Sequence, residues 1–161
     1  MRALDLGCGT GLSGAAFAGV ATDFIGVDLS EQMLAKARSK NLYQQLIQAD
    51  IVEYLTECDV LFDLILASDV VVYLGDLTDF LRLTAKRLAP AGVLLFSIET
   101  TLLKAPFVLT ATGRFQHQLA SLLEQAKSVG FVCLAKERVT LRHQDKRPVT
   151  GTILALGKSA K

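Results

Sequence analysis

Short apolar runs of strand length alternate with longer stretches of helical periodicity along almost this whole chain, and few architectures satisfy that order. Strands that read as continuously apolar must be buried on both faces, so the alternation predicts a mostly parallel sheet with helices above and below it. Seven strand-like segments are legible: Arg2–Leu6, Phe24–Asp28, Gln45–Ala49, Leu61–Ser68, Val93–Ile98, Phe131–Lys136 and Val149–Leu156. A short polar connection containing Pro148 joins the last two, which favours an antiparallel hairpin. The expected fold is α/β: a Rossmann-like, seven-stranded, mostly parallel sheet with helices on both faces and an antiparallel C-terminal hairpin strand.

The intervening segments supply the helices. Leu12–Val20 can begin one, and Ser30 is placed to cap another over Glu31–Lys40, where Met33, Leu34 and Ala37 share one face. A short helix is expected at or after Asp50. An amphipathic helix capped by Asp76, with Leu77, Phe80, Leu81, Thr84 and Leu88 inward, stops before the Pro90–Gly92 turn. Thr100–Gln116 contains Pro106 and Gly113, has weak periodicity, and reads as an excursion over the strand ends before a helix resumes at about His117 to Val129.

With 161 residues, 51% of them apolar, the chain can bury one substantial core. A single domain over residues 1–161 is expected. No apolar run reaches the roughly 18 to 20 residues of a membrane span, and no basic-then-apolar leader precedes the first strand, so a cytoplasmic location and no membrane partner are expected. Cys8, Cys58 and Cys133 lack paired spacing, which argues against a disulfide framework and a metal site. The formal charge of +1 makes the chain a poor electrostatic match for nucleic acid. Lys136 to Arg147 concentrates positive charge locally, readable as a solvated loop or, less simply, as a surface for nucleic acid or an acidic partner.

Function enters through "LDLGCGTG", Leu4 to Gly11. In a parallel α/β sheet, ligands sit beyond the carboxyl ends of the strands, and Gly7, Gly9 and Gly11 allow a tight turn and a close ligand there. "GTGLSG" also satisfies the dinucleotide fingerprint, with Asp28 at a distance suited to a ribose, so an NAD-dependent dehydrogenase stays open. Asp5 argues otherwise, since it would repel a pyrophosphate. The sulfonium and ammonium of S-adenosylmethionine (SAM) would be attracted instead.

"LDLGCGTG", "GVDLS", "QAD", "FDLILASDVVVYL" and "LAPAGVLLFS" resemble, in order, successive motifs of the class I SAM-dependent methyltransferases. Within that family, "VVYLGDL" and "TGRFQH" look closest to bacterial methyltransferases sometimes fused to tetratricopeptide repeats. The resemblance implies an enzyme using SAM and releasing S-adenosylhomocysteine. It implies that Asp5 and the loop Gly7, Cys8, Gly9, Thr10 and Gly11 hold the methionyl end, that Asp28 accepts the ribose hydroxyls, that Leu29 and Met33 pack on adenine, and that Asp50 and the Ile51 backbone read its amino edge. Ser68 and Asp69 would border the sulfonium. Each has a plainer reading: such aspartates also cap helices, and Met33 suits a core.

Methyl transfer from a sulfonium needs positioning more than a base. Where several members of this class carry a histidine after the fourth strand, Tyr73 stands here, readable as a substrate contact or as a wall residue. His117 suits proton transfer or a helix start. Glu99 and Arg114 are further acceptor-side candidates, Arg114 for an anionic acceptor, and Tyr73, His117 and Glu99 are the candidate catalytic groups. The family's first strand usually follows helices that cover the cofactor. Here it begins at residue two, so a fragment, a reduced lid, or a cover from an N-terminal repeat domain or partner subunit is expected. The readings in play are a methyltransferase acting on an unidentified small molecule, a SAM-binding regulatory module without turnover, and the dehydrogenase.

Overall fold

A computed structural model describes residues 1–144 and 146–158. β1 (Arg2–Leu6) lies inside the sheet, and the next elements wind outward from it: α1 (Leu12–Phe17), β2 (Asp23–Asp28), α2 (Glu31–Arg38) and β3 (Gln45–Gln48). After α3 (Ile51–Glu57) the chain crosses back to place β4 (Phe62–Ala67) on the other side of β1. A 3-10 turn (Val71–Tyr73) and α4 (Thr78–Arg87) then lead to β5 (Leu88–Thr100). These five strands run parallel in the order β3-β2-β1-β4-β5. The switch of direction therefore falls at the ends of β1 and β4, where such sheets bind ligands.

The remaining strands differ from expectation in number and length. Among the described residues there are nine, because the segment that follows β5 contains a hairpin, β6 (Phe107–Leu109) and β7 (Phe115–His117). Three residues are too few to show alternation, so the sequence pattern conceals them. His117 consequently closes a strand, and α5 (Leu119–Ser128) begins two residues later, with Gln118 rather than His117 at its cap. β8 (Phe131–Gln144) and β9 (Arg147–Lys158) form the expected antiparallel hairpin but extend to a Gln144–Arg147 pair, so the stretch read as a solvated loop is largely strand and Pro148 pairs with His143. Asp145 lies outside the described residues. β9 inserts antiparallel between β5 and β8.

Alternation along the strands divides the core. Leu4, Leu6, Ile65, Leu94, Phe96 and Ile98 face α3, α4 and α5, which bring Ile51, Leu55, Phe80, Leu81, Leu122 and Ala126 onto them. The opposite face, under α1 and α2, has a smaller buried cluster of Ala3, Phe24, Leu64 and Leu66, flanked by Phe17, Ala21 and Tyr43. On that face a cavity of about 330 Å³ opens among Leu12, Phe17, Leu66, Ser68, Leu95 and Ile153. Among the described residues, no helix is long and apolar enough to cross a membrane.

One topological detail positions the site. β9 occupies one flank of β5 at Glu99, so β7, which pairs with β5 at Glu99 and Thr100, takes the flank that β4 holds lower down. The β6–β7 hairpin thus stands beyond the end of β4, above the turn that follows it.

Candidate functional site

The glycine loop leaves β1 with Gly7, Gly9 and Gly11 all at positive φ (67°, 53° and 83°), a backbone region that strains residues bearing a Cβ. A Cβ on Gly7 would lie 2.5 Å from Val70 Cγ2, so this glycine lets the loop close against the turn after β4. The loop is tied to β2 twice. Gly7 and Cys8 donate their N–H groups to the Val27 carbonyl, and Gly9 donates to Asp28 Oδ2 at 2.8 Å. Asp28 Oδ1 accepts the Ser30 N–H at 2.9 Å, which fixes the carboxylate at the strand end.

The next strand repeats the device. Asp50, just after β3, caps α3 by accepting the Val52 and Glu53 N–H groups on Oδ1. Asp28 and Asp50, with Gly7, Leu29, Ile51, Val70, Tyr73 and Leu74, line one cavity of about 210 Å³. Leu29 is 66% exposed beside it, an apolar surface suited to a flat ring. Met33 is exposed on α2 and Cys8 is buried, its thiol pushed up to about 12 chiefly by burial. Neither they nor Thr10 and Gly11 belong to that cavity wall, and Ser68 lines the cavity on the open sheet face instead.

Asp5 is not at the lip. Strand alternation turns it with Ala3 toward α1, under the glycine loop, where it is 0% exposed. Its Oδ2 accepts a hydrogen bond of 2.7 Å from the Tyr43 hydroxyl, and that hydroxyl accepts one of 3.1 Å from the Gly14 N–H. Oδ1 has no partner. Burial pushes the Asp5 carboxyl up to about 7, partly offset by the Tyr43 hydrogen bond, with the Asp28 charge adding to the rise. Asp5 is therefore a charge reserve beneath the loop: a cation above it favours ionisation, and a pyrophosphate opposes it.

Tyr43 carries no motif, yet it explains part of the glycine pattern. A Cβ on Gly14 would lie 2.5 Å from its hydroxyl oxygen, one on Gly11 3.2 Å from its ring, and one on Gly26 3.1 Å from it. The third glycine of the "GTGLSG" fingerprint makes room for a side chain, not for a phosphate.

On the other side of the switch point, Asp69 (φ 54°) follows β4 and receives two arginines. Arg114 Nη1 donates to its Oδ1 at 2.9 Å and Arg142 Nη1 to the same oxygen at 3.3 Å. Arg142 Nη2 donates to Glu99 Oε1 at 2.6 Å, and Arg114 Nη1 lies 3.7 Å from that oxygen. Arg114 Nη2 also donates to the Tyr73 hydroxyl at 2.9 Å, and its guanidinium carbon lies 5.1 Å from that ring's centroid. Tyr73, Asp69, Glu99 and Arg114 therefore meet as expected candidates, joined by Arg142, which sequence reading left in the basic stretch.

His117 turns away from them. It is 2% exposed, its Nε2 contacts the Leu74 and Gly75 carbonyls at 3.0 and 3.1 Å, and its Nδ1 has no partner among the described residues. Burial lowers its pKa and outweighs the carbonyl contacts, which favour the charged form. It holds the hairpin to the turn that presents Tyr73, and it contacts neither Glu99 nor the arginines by hydrogen bond.

This sheet order, with a glycine loop after its central strand and carboxylates at the next two strand ends, defines a Rossmann-like nucleotide-cofactor-binding protein. Residues 3–92 match the family model described as "Methyltransferase domain", more than half of the chain, and the protein belongs to that family. It is 34% identical over 109 residues to a ubiquinone biosynthesis O-methyltransferase of Caulobacter sp. (strain K31), covering 65% of this chain and 43% of the relative. It is 34% identical over 96 residues to a malonyl-[acyl-carrier protein] O-methyltransferase of Enterobacter lignolyticus, covering 60% and 38% respectively. The chain thus spans less than half the length of these curated relatives. A SAM-dependent methyltransferase of Listeria monocytogenes superposes with a TM-score of 0.78 at 20% identity, covering 99% of this chain and 91% of the other. A magnesium protoporphyrin IX methyltransferase of Synechocystis with bound SAM does so at 0.73 and 16%, covering 98% and 70%. The likeness establishes a shared fold.

Proposed function

We propose that this protein binds SAM in the cavity between the glycine loop and the ends of β2, β3 and β4, and transfers its methyl group to a small-molecule acceptor at the β4–β5 edge. The observation that carries the reading is the convergence of Asp28, Asp50 and exposed Leu29 on one cavity, above the buried Asp5. Asp28 suits the ribose hydroxyls, because each of its oxygens is committed to a single N–H and keeps a further lone pair. Asp50 Oδ2 and the Ile51 backbone suit the adenine edge, and Leu29 its face. When bound, SAM supplies an activated methyl carbon. The chain supplies orientation and an environment that favours positive charge.

Calorimetric titration with S-adenosylhomocysteine and, in parallel, NADH tests this reading. Binding of the first alone is expected; binding of NADH alone would replace it with the dehydrogenase. The inward turn of His117 favours one second reading, a SAM-binding module without turnover. Labelled methyl donor incubated with a metabolite extract separates the two, since only the enzyme yields a labelled product.

A further inference from the structure

We infer that the acceptor of this site is an oxyanion, a carboxylate or phosphonate that is already ionised before it reacts, and that Arg114 and Arg142 grip it. The inference rests on the methyltransferase reading above and names the substrate class for the same site.

Two independent features of the edge converge on it. The first is the supply of guanidinium donors. Arg114 from the β6–β7 hairpin and Arg142 from β8 reach one point beside Tyr73, which itself lines the cofactor cavity, and their side chains are only 20% and 21% exposed. Such half-buried guanidinium forks match an oxyanion in shape as well as charge. Beside them opens a polar cleft of about 680 Å³ whose lining includes Glu99, Thr110, Gln116, Gln144, Arg147 and Thr150, room for the polar remainder of an acid. Arg147 lines the same cleft as Glu99 and adds a third guanidinium to this edge.

The second feature is the state of the candidate bases. An alcohol acceptor has to lose a proton, and the groups positioned to take it are committed elsewhere. His117 points into the core at the Leu74 and Gly75 carbonyls, Glu99 accepts from Arg142, and the Tyr73 oxygen accepts from Arg114. An oxyanion needs no base. Its oxygen forms the new bond to the methyl carbon as the carbon–sulfur bond breaks and that electron pair stays on sulfur. The negative charge of the acceptor and the positive charge of the sulfonium cancel, and no proton moves.

The two acids have different places in this scheme. The Glu99 side chain is 5% exposed and anchors Arg142 from beneath, whereas the Asp69 side chain is 44% exposed, so displacing it requires little unpacking. In the free protein Asp69 Oδ1 occupies the position between both arginines that an acceptor oxygen takes when bound.

The test uses the protein saturated with S-adenosylhomocysteine, titrated calorimetrically with malonate, methylphosphonate and the neutral malonamide. At least one anion is expected to bind and malonamide is not. Arg114→Gln should weaken the anion about tenfold or more while leaving S-adenosylhomocysteine affinity intact. Removing Arg142 outright would strand buried Glu99, so it is tested as Arg142→Lys, which keeps the charge and loses the fork. Asp69→Asn should tighten the anion. With labelled methyl donor and an extract, label released by alkali as volatile methanol assigns a carboxyl ester, and label retained on a phosphonate oxygen assigns the other source. Equal binding of malonamide, failure of both anions to bind, unchanged anion affinity in both arginine variants, or an ether or N-methyl product would each overturn the inference. Failure of the wild-type protein to bind S-adenosylhomocysteine would instead remove the reading beneath it.

Discussion

The two halves of the sheet's carboxyl edge are built on different principles. On the β1–β3 side, the carboxylates of Asp28 and Asp50 are held by backbone N–H groups of the loops and turns at the ends of β1, β2 and β3. On the β4–β5 side, Asp69 and Glu99 are held by guanidiniums 43 to 73 residues away along the chain. Backbone donors are fixed by the fold, so the first half suits a ligand common to many proteins. Side-chain donors can be exchanged without disturbing a strand, so the second half suits specificity.

The sharpest way to probe the first half is to titrate what lies beneath it. Burial holds the folded Asp5 carboxyl at about 7 against the ordinary 3.8, so between these values the folded state holds a proton that the unfolded chain releases. Stability from this group is present at low pH and is lost as pH rises, completely above about 7. Asp5→Asn is therefore expected to stabilise the ligand-free protein at pH 8, by ~4 kcal/mol at most, with the gain vanishing near pH 4. Urea melts across that range measure it. The same substitution should flatten the rise in S-adenosylhomocysteine affinity that is expected of the wild type between pH 6 and 8. A variant less stable than wild type at pH 8 would mean that Asp5 is a structural anchor and not a charge reserve.

Asp28→Ala comes next. It removes the acceptor of the Gly9 and Ser30 N–H groups as well as the ribose contact. A loss of ~3 kcal/mol of cofactor affinity, about 100-fold, is expected from charge-assisted hydrogen bonds of this kind. Arg114→Gln should leave that affinity within about twofold, which calorimetry on the two variants compares directly. Comparable losses from both would erase the distinction between the halves.

The difference in construction also explains what could be read from the sequence. Strands β1 to β4, β5 from Val93 onward, and the strand-end positions of Asp28 and Asp50 follow from apolar runs and were legible, whereas Leu88 and the Pro90–Gly92 stretch, read as helix end and turn, belong to β5. Tyr43 was not: it meets Asp5 across 38 residues and Gly14 across 29, with no pattern around it to mark the contact. Its only trace was indirect, in glycines assigned to the ligand. Arg142 was hidden because a stretch rich in basic residues reads as solvated surface until the fold brings one of them against Glu99. The position of Asp5 was recoverable in principle, since period-two alternation separates it from Leu4 and Leu6.

Gly14 tests whether those glycines serve Tyr43. In a helix, replacing glycine by alanine ordinarily stabilises by roughly 1 kcal/mol. At Gly14 the new Cβ would lie 2.5 Å from the Tyr43 hydroxyl oxygen, so the ring must shift and its bond to Asp5 with it. A net destabilisation of ~2 kcal/mol is expected from such overpacking. Gly19→Ala, where the added Cβ meets nothing within 4 Å, is the control and should be neutral or slightly stabilising. Thermal melts of the pair decide it, and equal effects would return Gly14 to a purely conformational role.

The smallest effect is expected at His117, and its sign is opposite to that at Asp5. Burial lowers the pKa of this imidazole, so the unfolded chain binds the proton more readily than the folded one. Stability from this group is full above the unfolded value of about 6.5 and is lost as pH falls from there toward the lowered folded value. A charge on the ring would protonate Nδ1, which has no partner in the core. His117→Gln keeps an N–H donor for the Leu74 and Gly75 carbonyls but removes the titration. At pH 7.5 it should change stability by less than ~1 kcal/mol; at pH 5 it should unfold at a higher urea concentration than the wild type. Asp5→Asn and His117→Gln would then flatten stability–pH profiles of opposite slope. That outcome would show that the cofactor half strains against a buried acid while the acceptor half is held by a buried neutral base. A His117→Gln profile parallel to wild type would mean that the buried ring does not set the acid sensitivity of this half.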